Sequence, residues 1–217
     1  MHERARSAED KAKRSEDLLA AAESVAVELG GVRFVTVSAV TDRAGLHRTG
    51  VRRYYASKEE LLLELAERGW GQWRDAVNAA TQDRKNLGPI EIATVLVDTI
   101  TELSVFCDLL AHVAMRLEDD VDIDRARRYK LSAFAAHDEL VGALQRSTTM
   151  TPAQVQTLVT TTVALTASLW QTAHPSSTLV ELYEQEPDWG HYALDFKPRL
   201  TLILQATAIG LTEVLPA

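Results

Sequence analysis

The chain has 217 residues, 46% of them hydrophobic, with 23 Lys+Arg against 31 Asp+Glu and a formal net charge of −8. This composition excludes a disordered polymer and supplies enough apolar material for one large or two unequal domains. The single cysteine, Cys107, excludes an intramolecular disulfide and fits a reducing compartment. The opening Met-His-Glu-Arg-Ala-Arg carries no apolar secretion core, so a cytoplasmic location is expected.

In chain order, residues 1–14 read as a mixed-charge arm. A first helix is expected from about Ser15 to Leu29, where Leu18, Leu19, Ala22, Val25, Ala26 and Leu29 recur at helical spacing. Gly30-Gly31 stops it. Thr36 is placed as the N-cap of a second helix, which ends at Ala44-Gly45-Leu46. A third, short helix is expected over about Arg48 to Tyr54. Ser57-Lys-Glu-Glu60 then reads as a capping box that opens a long helix to about Thr81. Pro89 suits a first helical position, and helical patterns follow at about 90–105, 107–117, 123–147, 152–173 and 198–214. Thr151-Pro-Ala-Gln154 is a second capping box, and His174-Pro175 ends the helix it opens. Residues 175–197, with Pro175, Pro187 and Gly190 and closed by Pro198, read as a loop holding one short helical turn at most. The fold class is therefore all-α: a small head over 1–57 and a larger helical body over 58–217, hinged where the long helix starts.

Charge is unevenly spread. From Arg33 to Lys58 there are six basic residues and one acid, a local net of +5, whereas beyond Glu60 there are 12 basic and 21 acidic residues. An acidic chain approaches a polyanion only through such a basic patch. No Asp, Glu, Lys or Arg occurs between Arg146 and Glu181. The threonines and glutamines that interrupt this stretch point to a helix buried within or between subunits rather than to a membrane span.

The residues Thr36-Val37, Ala44-Gly45-Leu46, Val51, Tyr54-Tyr55, Ser57-Lys58-Glu59 and Leu61 stand at the spacing of a helix-turn-helix head. Over roughly 15–65 this segment resembles the tetracycline-repressor (TetR) family of bacterial one-component regulators. Three positions depart from the family's usual pattern. His47 stands in place of Ser, Thr49-Gly50 inverts the usual Gly-Thr, and Arg52 replaces a Tyr. These changes bear on which operator is read.

On a helix, residues 48, 49 and 52 fall within about a 100° arc. Arg48 and Arg52 are the expected base readers, each able to pair with guanine O6 and N7, and Thr49 can meet a thymine methyl. Gly50 is expected to permit close approach to the duplex. The resemblance implies that Ser38 reaches a base from the second helix. Thr36, Arg53, Tyr54 and Lys58 are placed for phosphates, Lys58 at a helix N-terminus that itself attracts them. Val51 and Tyr55 are expected to point inward.

In the body, the neutral segments 152–173 and 200–211 are expected to be covered on all sides. The resemblance implies that they form a four-helix interface with a second copy. Wide side chains with polar tips, Trp70, Trp73, Phe106, His112, Met115, Tyr129, Phe134, Trp170 and His174, are candidate walls for a small-molecule effector. No cofactor is expected. Asp120-Val-Asp-Ile-Asp124 imitates a calcium loop but has Arg125 and Leu131 where Gly and Glu are needed. His137-Asp138-Glu139 lacks zinc spacing, and no phosphate loop or nucleophile elbow occurs. The expectation is a homodimeric, non-enzymatic repressor released from a palindromic operator by a small molecule. The alternative is a helical ligand-binding or enzyme-like protein that has lost operator binding.

Overall fold

Side-chain caps from Thr36, Ser57, Asp122, Thr151 and Ser176 open five helices in the computed structural model of the chain, which describes residues 2–46, 51–192 and 195–215. Helix α1 spans His2–Leu29, so the mixed-charge arm continues the first helix rather than preceding it. Its alternating acids and bases can support one another at i,i+3 and i,i+4, as Arg14 and Asp17 do at 3.6 Å. Gly30 and Gly31, at φ 74° and 154°, end it in a backbone that L side chains rarely adopt. A 3₁₀ turn, Val32–Phe34, follows. Helix α2 is Val37–Arg43, with Thr36 Oγ1 accepting the Ala39 N–H as expected.

Helix α3 runs Lys58–Thr81, within a residue of the boundaries the sequence predicts. Its capping box is only half formed. Ser57 Oγ accepts the Glu60 N–H at 3.2 Å, but the Glu60 carboxylate takes the Ala56 N–H at 2.8 Å rather than that of Ser57. Helix α4, Pro89–Thr101, starts on the proline, and Glu91 accepts the Gly88 N–H. Helix α5, Ser104–His112, continues through a π-helical turn, Val113–Leu117. Asp122 caps helix α6, Ile123–Ser147, accepting the N–H groups of Asp124 and Arg125, both at 2.9 Å. Helix α7, Pro152–Ala173, carries the complete Thr151–Gln154 box.

The stretch read as a loop is largely helical. Ser176 caps helix α8, Ser177–Gln185, and a 3₁₀ turn follows over Pro187–Tyr192. No residue of α8 is buried, although Leu179, Val180, Leu182 and Tyr183 recur at helical spacing. Helix α9, Phe196–Val214, closes the chain. Among the described residues the one β-type pairing is the Leu87–Thr148 bridge.

The head packs α1 on α2 and on the first half of α3, so α3 belongs to head and body at once. Leu18, Ala22, Val25, Val40, Val51 and Leu61 are all 3% exposed or less at this junction. In the body, α3 lies along α6, while α7 and α9 pair with each other and rest on α5 and α4. Arg125, only 5% exposed, ties α6 to α3 through Glu67 at 2.6 Å and the Glu60 carbonyl at 3.4 Å.

Candidate nucleic-acid interface and effector site

The turn of the head is built by hydrogen bonds rather than by side-chain bulk. Leu46 N–H donates to the Thr41 carbonyl at 2.9 Å and Gly45 N–H to that of Asp42 at 3.3 Å. Gly45 supplies the required positive φ of 65°. This is the 6→1 and 5→2 pair of a Schellman turn, and it directs the chain sharply out of α2. His47, Arg48, Thr49 and Gly50 follow, so the expected contacts of Arg48, Thr49 and Gly50 lie outside the described residues.

Description resumes at Val51, which is helical and 1% exposed, anchored in the head core. The next two residues, Arg52 and Arg53, are exposed and enter no ion pair among the described residues. Tyr54 is half-buried against the core. Tyr55 turns inward, 4% exposed, with its hydroxyl 2.8 Å from Ser15 Oγ. Burial pushes its phenol well above the usual range, so it stays neutral and fastens the end of the helix-turn-helix segment to α1.

The other DNA-facing candidates are partly engaged inside the protein. Thr36 Oγ1 caps α2, and Ser38 Oγ donates to Asp42 at 3.4 Å. Lys58 Nζ donates to the Arg33 carbonyl at 3.3 Å, beside the N-terminus of α3. The six-cation patch also loses strength at one point: Arg43 is paired with Glu28 and donates to Ser24, on α1. Arg33 lies over the Phe34 ring at 4.5 Å.

Apart from His112, the expected effector residues divide into three groups. Trp70, Trp73, Phe106 and Tyr129 form a packed cluster, each 8% exposed or less. Trp70 meets Trp73 at 5.7 Å and Phe106 edge-on at 5.4 Å. Both indole N–H groups are satisfied, by Tyr129 and by Thr99. Gly69 lets Phe106 into this cluster, because a Cβ there would stand 2.3 Å from the ring. Met115 and Phe134 are exposed, at 82% and 59%. Trp170 and His174 stack at 3.8 Å between ring centres and line a cleft of about 210 Å³ between head and body.

His112 leads to a residue the sequence reading missed, Asp108. Its side chain is 10% exposed. Oδ2 accepts the Val32 N–H of the head at 2.7 Å, and Oδ1 accepts Gln171 Nε2 of α7, also at 2.7 Å. His112 Nε2 lies 3.6 Å from Oδ1, too far for a hydrogen bond, and acts through space. Burial would push this carboxyl up, but the donated hydrogen bonds and the nearby imidazole hold it below the usual carboxylate range. Hydrogen bonds to a charged group contribute about 1.5–3 kcal/mol each. Asp108 is thus a buried tie from α5 to the head on one side and to α7 on the other. A sequence signal existed: one acid in the apolar run Val105-Phe-Cys-Asp-Leu-Leu110 must find partners if that helix is covered.

The body carries the comparison that decides kinship. Residues 67–214 match the family model of the tetracycline-repressor-like C-terminal domain. The chain belongs to the tetracycline-repressor-like family of transcriptional regulators. Its fold is also that of two solved structures. One is a candidate TetR-family transcriptional regulator from Mesorhizobium loti, 13% identical, with a TM-score of 0.53 over 94% of this chain and 97% of that one. The other is a candidate TetR-family transcriptional regulator from Streptomyces coelicolor A3(2), 19% identical, with a TM-score of 0.53 over 94% of this chain and 99% of that one. No curated protein matches the sequence. Among the described residues of this TetR-family chain, no helix is long and apolar enough to cross a membrane, and no group of His, Cys, Asp and Glu is arranged to hold a metal ion.

Proposed function

We propose that this regulator is a cytoplasmic, non-enzymatic repressor that binds a palindromic operator as a homodimer and is released by a small molecule. The observation that carries the DNA half of this reading is the arginine pair. Arg52 and Arg53 stand exposed directly after the buried anchor Val51, with no ion pair among the described residues, in a head whose α2 ends in a Schellman turn. Free guanidinium groups on a rigid base suit guanine edges and phosphates.

Two outward faces support the dimer. Helix α7 presents small residues, including Ala153, Thr157, Thr160 and Ala164, and α9 presents Leu202 at 63% and Ile209 at 49% exposure. Small residues permit close approach, and exposed branched side chains gain by being covered. Two heads reading half-sites one DNA turn apart, about 34–36 Å, would bind far more tightly than one.

A gel-shift with the duplex upstream of the protein's own coding region tests this reading. The expected result is a discrete complex at about 10⁻⁸ M or tighter that resists excess unrelated duplex. Equal retention of unrelated duplex would contradict it.

A further inference from the structure

We propose that the cleft between head and body binds a small planar organic cation, held by the Asp108 carboxylate against the Trp170–His174 pair. As an effector site it rests on the ligand-controlled reading above; as a binding site it does not.

The cleft lies where Gly30, Gly31 and Arg33 of the head face Asp108, Trp170 and His174 of the body. Its volume, about 210 Å³, falls below the roughly 300–1,000 Å³ of sites for drug-sized molecules, so it suits a single-ring ligand. The two glycines keep it open. Any side chain at Gly31 would begin 3.3 Å from Asp108 Oδ2.

Charge selects the ligand's sign. Asp108 is buried, and its bonded partners, the Val32 N–H and the Gln171 amide, are neutral. Among the described residues no Lys or Arg comes within ion-pair distance of it, and His112 is the basic group that does, at 3.6 Å. A desolvated carboxylate whose hydrogen-bond donors are neutral, and which His112 offsets only when that ring is protonated, attracts a cation more strongly than the same carboxylate does in water. Arg33 also lines the cleft and would favour an anion, but it is exposed, lies over Phe34, and is screened by water. The buried charge outweighs the exposed one.

The aromatic wall selects the ligand's shape. Trp170 is held by stacking with His174 and by Phe196 edge-on at 5.1 Å. His174 Nδ1 lies 2.9 Å from the Trp170 carbonyl and donates to it, which leaves Nε2 as an acceptor. A flat cation can meet the rings and the carboxylate together. Because Oδ2 also holds the Val32 N–H, such a ligand acts on the bond that ties the head to the body.

Benzamidinium, benzamide and benzoate, which share a ring and differ in charge, test the proposal on the full-length chain by ¹⁵N–¹H spectroscopy. The expected result is a saturable benzamidinium shift of the Val32 amide and the Trp170 indole resonances. Benzamide and benzoate should bind at least tenfold more weakly. Asp108→Asn should erase that preference, and His174→Ala should weaken benzamidinium several-fold. The three-probe comparison on the unaltered protein stands even where the Asp108 variant does not fold. Equal binding of the three probes, a preference for benzoate, or shifts confined to other residues would overturn the proposal. Saturable binding at Val32 with unaltered affinity for the gel-shift duplex supports the site while counting against ligand control of the regulator.

Discussion

At the scale of single residues, the molecule separates charges that bind from charges that hold. Arg43, Arg68 and Arg125 are all spent on carboxylates, while Arg52 and Arg53 meet none among the described residues. Arg52→Ala should therefore leave stability unchanged and weaken operator binding by about 1–3 kcal/mol, with relaxed preference at one base position. Binding measured over a panel of single-base operator variants checks this. A loss spread equally over all sequences would make Arg52 a phosphate contact. Asp108 belongs to the holding class. Its folded-state pKa is lowered, so its contribution is complete above the unfolded carboxyl value, about 3.9, and is lost as pH falls through the lower folded value. Thermal melts from pH 7 downward should show Asp108→Asn less stable than the parent at neutral pH, with the gap closing in acid. A gap that is constant with pH would remove the carboxylate from the account.

At the scale of elements, helix ends written in local chemistry were legible and ends set by long-range packing were not. Thr36, Ser57, Pro89 and Thr151 each begin a helix where the sequence puts one, because an N-cap oxygen or a first-turn proline acts within three residues. Thr151→Ala should remove the α7 cap at a cost of about 1 kcal/mol, lowering the midpoint by about 2–4 °C in a chain of this size. Calorimetry checks the shift, and an unchanged midpoint would show that tertiary packing alone sets that end. The first half of α1 escaped sequence reading because periodicity reports buried faces, and α8 because its nine residues stand between Pro175 and Pro187, which read as loop. No residue of α8 is buried, and residues 11–14 of α1 are all exposed. The cleft was half legible. Trp170 and His174 stood out as wide residues one turn apart, but Asp108 and the head's Val32 are 76 positions apart, and no local pattern joins them.

At the scale of the whole molecule, a single helix links the two jobs. Helix α3 begins beside the segment proposed to face DNA, is gripped by α6 through Arg125, and carries the Trp70–Trp73 cluster at its centre. A change in the body's packing that tilts α3 would move the head as one piece. It would also change the spacing of two heads in a dimer. The exposed stripe of α9 provides the test of that dimer. Leu202→Glu with Ile209→Glu should convert the protein to monomer in sedimentation velocity while leaving its helical content intact. Persistence of the parent's dimer would move the interface elsewhere.

The central claim is that the arginine-bearing segment after the Schellman turn lies in a duplex's major groove, twice, related by two-fold symmetry. Hydroxyl-radical footprinting of the full-length protein on its own upstream region tests it most directly. The account predicts two equal protected half-sites of inverted sequence, centred about 34–36 Å apart and lost together in Arg52→Ala. A single protected patch, a direct repeat, or an undiminished footprint with the variant would contradict it.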